Sequence, residues 1–115
     1  MTTIPLSSHR SHDEWVFTSG QIGRDADGTI PDGFGAQMRV AIESLRRNLE
    51  AAGASLETVV KTTVFLTRRD DFAEMNDIYA ECFPQPWPAR STVVAGMVRS
   101  ELLVEIEAIA YRGRS

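Results

Sequence analysis

The segment Val59–Leu66 (VVKTTVFL) constrains the fold more than any other stretch of the chain. Its β-branched and aromatic content marks a strand. At a period of two, Val60, Thr62, Val64 and Leu66 share one face, and Val59, Thr63 and Phe65, interrupted by Lys61, share the other. A strand that is apolar on both faces must be covered on both. The helical stretches of this chain amount to one covering layer, so the second face is expected to meet another subunit.

Those helical stretches are two. Phe34, Met38, Ala41, Ile42, Leu45, Leu49 and Ala52 recur at spacings of three and four, opposite Arg39, Glu43, Arg46 and Glu50. Gly53 follows as the residue that ends such a helix. Asp71 and Glu74 then form an acidic helix start close to a capping box, and the helix runs to about Phe83. Its apolar stripe is Phe72, Met75, Tyr79, Cys82 and Phe83, with Asn76 inside it. Pro84, Pro86 and Pro88 stop the helix and force extended backbone. Further strands are predicted over Glu14–Gln21, Arg90–Ala95 and Leu102–Arg112, and the short N-terminal segment is a candidate for one more. Asp25–Gly28 is turn chemistry. The order β–α–β–α–β–β predicts an α+β fold, a mixed sheet with two helices packed on one face. A chain of 115 residues reads as one domain over 1–115, long enough to bury a sizeable core.

Composition excludes several functions. The formal charge of −4 opposes a nucleic-acid binder, and the pairs Arg46-Arg47 and Arg68-Arg69 are each followed closely by acids. No apolar run approaches the length of a membrane span. The stretch Met1–Arg10 lacks the apolar core of a secretory leader, so the cytoplasm is the expected compartment. A lone cysteine, Cys82, permits no internal disulfide and reads as a small buried hydrophobe. His9 and His12 have no third ligand nearby, so no metal site is expected. There is no phosphate-binding loop and no dinucleotide fingerprint.

A few residues could carry chemistry. Arg90 follows three prolines and opens a strand, a rigid mount for a planar fork that grips carboxylates, although a structural ion pair would look the same. Glu105 and Glu107 share a strand face with Leu103, Ile109 and Tyr111. A carboxylate in apolar surroundings has a raised pKa and can trade protons with water, unless it sits on a solvated face or in a salt bridge. Asn76 is either a satisfied core amide or a pocket hydrogen-bonder. Ser19-Gly20 could offer a hydroxyl and a backbone N–H to an anion, or simply turn the chain. Ser19 has no nucleophile-elbow motif around it.

Taken together, Val16–Ile22 (VFTSGQI), Asn48–Leu66 (NLEAAGASLETVVKTTVFL), Asp71–Phe83 (DFAEMNDIYAECF), Pro88–Val93 (PARSTV) and Val104–Ala110 (VEIEAIA) resemble the RidA family, also known as YjgF, in order and spacing. The resemblance implies a chorismate-mutase-like α+β fold and a homotrimer with clefts between subunits. It implies hydrolysis of reactive enamine and imine intermediates, such as 2-aminoacrylate, to 2-oxo acids and ammonia, without metal or cofactor. By resemblance Arg90 would grip the substrate carboxylate and Glu105 would position or activate water. Ser19, Gly20 and Asn76 would line the pocket, and Thr92 stands where many members have cysteine. Two departures alter the rim: Leu6 stands in place of a pocket tyrosine, and Val98-Arg99 in place of a Leu-Pro step. These leave room for a larger imine substrate, or for binding of a small 2-oxo or amino acid without turnover.

Overall fold

A computed structural model describes residues 3–113, so the first two residues of the Met1–Arg10 stretch and the last two of the 1–115 span lie outside the described residues. The strands are β1 (His9–His12), β2 (Trp15–Thr18), β3 (Gln21–Ile22), β4 (Val59–Leu66), β5 (Ala89–Val94) and β6 (Val104–Tyr111); the helices are α1 (Phe34–Ala51) and α2 (Phe72–Cys82). One six-stranded sheet runs in the order β1-β2-β6-β4-β5, with β3 also paired to β6. Only the β4–β5 pair is parallel, joined by α2 as crossover. This is the α+β mixed sheet that the alternation of periods predicts.

The helix-side core follows from the two apolar patterns. α1 buries Phe34, Met38, Ala41, Ile42, Leu45 and Leu49, the stripe expected of it. β6 answers with Val104, Ile106, Ala108 and Ala110, and β4 with Val64 and Leu66. Each fully buried aliphatic side chain contributes about 1.5–3 kcal/mol. Gly53 (φ +85°) takes the left-handed position after α1, where a side chain would strain the turn. Gln37 is buried within the same stripe. Its amide donates to the carbonyls of Pro31 (3.1 Å) and Glu101 (2.9 Å) and accepts from the Leu103 N–H (2.8 Å), pinning the loop before β6.

Three expectations need correction. A bulge between Val59 and Lys61 reverses the start of β4: Val59 is 6% exposed in the core, and Val60 is 44% exposed on the other face. An inserted residue shifts every earlier side chain to the opposite side. The predicted Glu14–Gln21 strand breaks at Ser19-Gly20 into β2 and β3. Asp71 makes no side-chain cap to α2; its carboxylate takes the Arg68 guanidinium instead, at 2.8 and 3.1 Å. The candidate N-terminal strand is present as β1, antiparallel to β2.

No helix among the described residues is long and apolar enough to cross a membrane. The sheet face away from the helices stays uncovered. Trp15, Phe17, Val60 and Val93 are exposed there, and Phe65, Ile109 and Tyr111 are half-buried.

Candidate functional site

Register decides which side each candidate faces. Arg90 pairs with Thr62, and Thr92 with Val64. Thr62 and Val64 are fully buried under the helices, so Arg90 and Thr92 lie on the helix side, at the sheet edge. Glu105 pairs with Phe65, on the uncovered side. Arg90 and Glu105 are therefore on opposite faces of one sheet, and a single chain does not bring them together.

Around Arg90 the partners are aromatic. Its guanidinium carbon lies 5.0 Å from the Tyr79 ring centroid and 5.9 Å from that of Phe72. Such cation–π contacts hold a cation without neutralising it. No carboxylate pairs with Arg90 among the described residues, although six arginine–carboxylate pairs occur there. Tyr79 is fixed in turn: its hydroxyl shares a 2.8 Å hydrogen bond with the buried Thr62 hydroxyl, and its ring stacks on Phe83 at 4.3 Å. Burial pushes the Tyr79 phenol pKa up, against the opposing pull of the Thr62 hydrogen bond and the Arg90 charge. A cavity of about 500 Å³ opens beside Arg90, lined by Asn76, Tyr79, Ala80, Trp87 and Pro88. The indole N–H of Trp87 donates to the Phe83 carbonyl at 3.1 Å, which sets that wall.

The aromatic seat is absent from the sequence reading, which placed Phe72 and Tyr79 on a core stripe. Tyr79 is buried, but Phe72 is 45% exposed. The available signal is their seven-residue spacing, two helical turns, on a helix that crosses over into the strand opened by Arg90.

The second group gathers where β2 gives way to β3. Across the break, the Ala108 N–H of β6 donates to the Thr18 hydroxyl (3.0 Å), a side chain standing in for a strand partner. Gly20 then lies flat under Glu105. A β-carbon there would sit 2.0 Å from Glu105 Oε2, so only glycine fits with this carboxylate in place. Desolvation, followed by repulsion from Glu107, raises the Glu105 pKa above the ordinary carboxylate value. The Ser19 hydroxyl is already engaged, donating to the Ser7 carbonyl at 2.5 Å, and the Ser19 N–H donates to the Ser8 carbonyl at 2.9 Å. The N-terminal segment is thus laced onto the site, and exposed Leu6 lines a cavity of about 600 Å³ with Phe17, Thr18 and Ser19.

The remaining candidates divide between these groups. Asn76 joins Arg90 in its cavity, and Thr92 stands two residues along the same face of β5. Glu107 is exposed beside Glu105. Cys82 is half-buried, and burial raises its pKa, which leaves an inert thiol. No group of three His, Cys, Asp or Glu side chains that could hold a metal occurs among the described residues.

Comparison with known proteins joins this geometry to a family. Residues 2–112 match the family model described as endoribonuclease L-PSP. The mitochondrial protein mmf2 of Schizosaccharomyces pombe is 44% identical over 98 residues, covering 83% of this chain and 78% of its own. Crystal structures of RidA from the Antarctic bacterium Psychrobacter and of Escherichia coli TdcF with bound serine both superpose with a TM-score of 0.90. Their identities are 35% and 34%; the matches cover 96% and 97% of this chain and 91% of each of those. With the family model spanning residues 2–112, and so both the Ser19-Gly20 break and the Arg90 strand, and with the whole sheet superposing on RidA, the chain belongs to the RidA, or endoribonuclease L-PSP, family.

Proposed function

We propose that the protein hydrolyses 2-enamine and 2-imino acids, of the type of 2-aminoacrylate, to 2-oxo acids and ammonia in clefts between the subunits of a homotrimer. The observation that carries this reading is the unpaired Arg90 guanidinium, held over Tyr79 and Phe72 and open to a cavity. A cation kept free of acids on a rigid mount is prepared for an anionic ligand, and a planar fork matches a carboxylate.

The imine carbon is already electrophilic, so the protein's work is to hold the carboxylate and deliver water. Arg90 binds the carboxylate, with Asn76 and Thr92 as neighbouring polar groups. Glu105, desolvated over Gly20, accepts a proton from water as the oxygen adds to the imine carbon. The resulting carbinolamine collapses to the 2-oxo acid as its nitrogen takes up protons and leaves as ammonia. An enamine first gains a proton at its terminal carbon to become the imine.

Because Arg90 and Glu105 lie on opposite faces of one sheet, the reaction needs Glu105 of one copy beside Arg90 of another. The uncovered apolar sheet face supports such an assembly, since exposed patches of this kind are normally interfaces. The net charge of −4 opposes the endoribonuclease activity that the family's name carries.

Binding without turnover is the second reading. It is favoured by the serine held in the TdcF structure, a small amino acid bound by a relative. Generating 2-aminoacrylate in situ with a pyridoxal-phosphate dehydratase, and following 2-oxo acid release with and without the protein, separates the two. Accelerated release that is lost in Glu105→Gln supports the deaminase. Saturable binding of a 2-oxo acid with no acceleration supports the binding module. A monomer in sedimentation at micromolar concentration would overturn the intersubunit site.

A further inference from the structure

Gln21 is a buried polar residue, 9% exposed, beginning β3 immediately after the break. It pairs with buried Ile106, so its side chain lies on the helix side of the sheet, opposite Glu105. Its amide nitrogen donates to the Ser19 carbonyl at 3.0 Å. Its amide oxygen accepts from the Ser44 hydroxyl (2.7 Å) and from the Asn48 amide (3.0 Å), both on α1. Asn48 also donates to the Ser44 carbonyl at 3.0 Å, which locks the donors together. A connected chain of hydrogen bonds thus runs from α1 through Gln21 to the peptide bond between Ser19 and Gly20.

We propose that Gln21, anchored by Ser44 and Asn48, is a positioning residue that fixes the Ser19–Gly20 peptide under Glu105. The strand break removes this peptide from the regular ladder, so its orientation needs another constraint. In a planar trans peptide the Gly20 N–H points opposite to the Ser19 carbonyl. Tying the carbonyl to Gln21 therefore sets the direction of the N–H as well. It also sets how closely the Gly20 backbone approaches Glu105, where no β-carbon fits. The Gln21 side chain touches the Ser19–Gly20 peptide and not the Glu105 side chain, which makes its role a supporting one. Its catalytic consequence rests on the deaminase reading; its structural consequence does not.

The test compares two buried glutamines. Gln21→Met and Gln37→Met both remove three hydrogen bonds from an isosteric side chain. Only Gln21 is hydrogen-bonded to the Ser19–Gly20 peptide. The Glu105 carboxyl is followed by carbon-13 NMR titration, assigned by its loss in Glu105→Gln, with no substrate present. By register, Arg10, His12, Lys61 and Glu107 share its face, and none of them is changed.

Gln21→Met is expected to move the Glu105 midpoint down towards the ordinary carboxylate value as the peptide swings away and water enters. Gln37→Met is expected to lower Tm and leave that midpoint where it was. Where deamination is measurable, kcat falls about tenfold in Gln21→Met with little change in KM. If Gln21→Met does not fold, Ser44→Ala is expected to give the same shift at smaller size. A lowered Tm with an unmoved Glu105 midpoint in whichever Gln21 or Ser44 variant folds would overturn the proposal. Absence of deamination by the parent protein, with the midpoint shifted in Gln21→Met, would overturn the deaminase reading and leave the positioning role standing.

Discussion

The α2–β5 edge and the β2–β6 half of the sheet treat their charged groups in opposite ways. At the edge, the Arg90 guanidinium lies against aromatic rings, which attract a cation without cancelling it. Over the strand break, Glu105 is pushed towards its neutral form by burial and by Glu107. One half presents a permanent cation at a cavity, and the other a carboxyl ready to exchange a proton. Neither half is a complete site, because pleating sends the two side chains to opposite faces. On the proposed deaminase reading, binding falls to the edge and proton transfer to the break.

The sharpest way to break that division is at Arg90. Arg90→Ala is expected to lower kcat/KM roughly 30-fold or more, since losing the charge that would hold the substrate carboxylate costs about 2–5 kcal/mol. Far-ultraviolet circular dichroism should stay unchanged, because among the described residues the guanidinium pairs with no acid that the loss would strand. A near-wild-type rate would mean that the edge does not bind the substrate.

Gly20→Ala probes the other half. The added β-carbon must displace the Glu105 carboxylate, so kcat is expected to fall on the order of tenfold to a hundredfold. Combined with Glu105→Gln, it should cost little more than Glu105→Gln alone, because both act through one group. Fully additive losses would separate Gly20 from Glu105.

The smallest effect is on stability with pH. The folded pKa of Glu105 is raised, so its contribution to stability is complete below the unfolded value, about 4.3, and is lost as pH rises through the folded value. Glu105→Gln, which cannot ionise, should therefore gain stability relative to the parent above that pH and not below it. Denaturant midpoints measured on either side would show the crossover. Kinetically, kcat/KM should rise with pH through a midpoint above the ordinary carboxylate pKa.

Much of the fold is legible along the chain, because periodicity is a local property. The α1 stripe from Phe34 to Leu49 and the alternation in β6 both place their buried residues as read. The start of β4 is not legible, because a one-residue bulge carries no signature in VVKTTVFL, yet it exchanges the roles of Val59 and Val60. Among the candidate site residues, Arg90 and Asn76 stand out by spacing and converge on one cavity. The Tyr79–Thr62 pair beneath them does not stand out, since a phenol on an apolar stripe looks like core until its partner is known.

The sequence by itself determined the two helices, the strands that follow α1, their order, and the residue types able to hold a carboxylate and move a proton. Side-chain chemistry and hydrophobic period are written residue by residue. Only the tertiary structure decided that Arg90 and Glu105 lie on opposite faces, that Gly20 lies beneath Glu105, and that Gln21 joins α1 to the break. Those facts depend on strand register and on contacts between residues far apart in the chain, which no local pattern records.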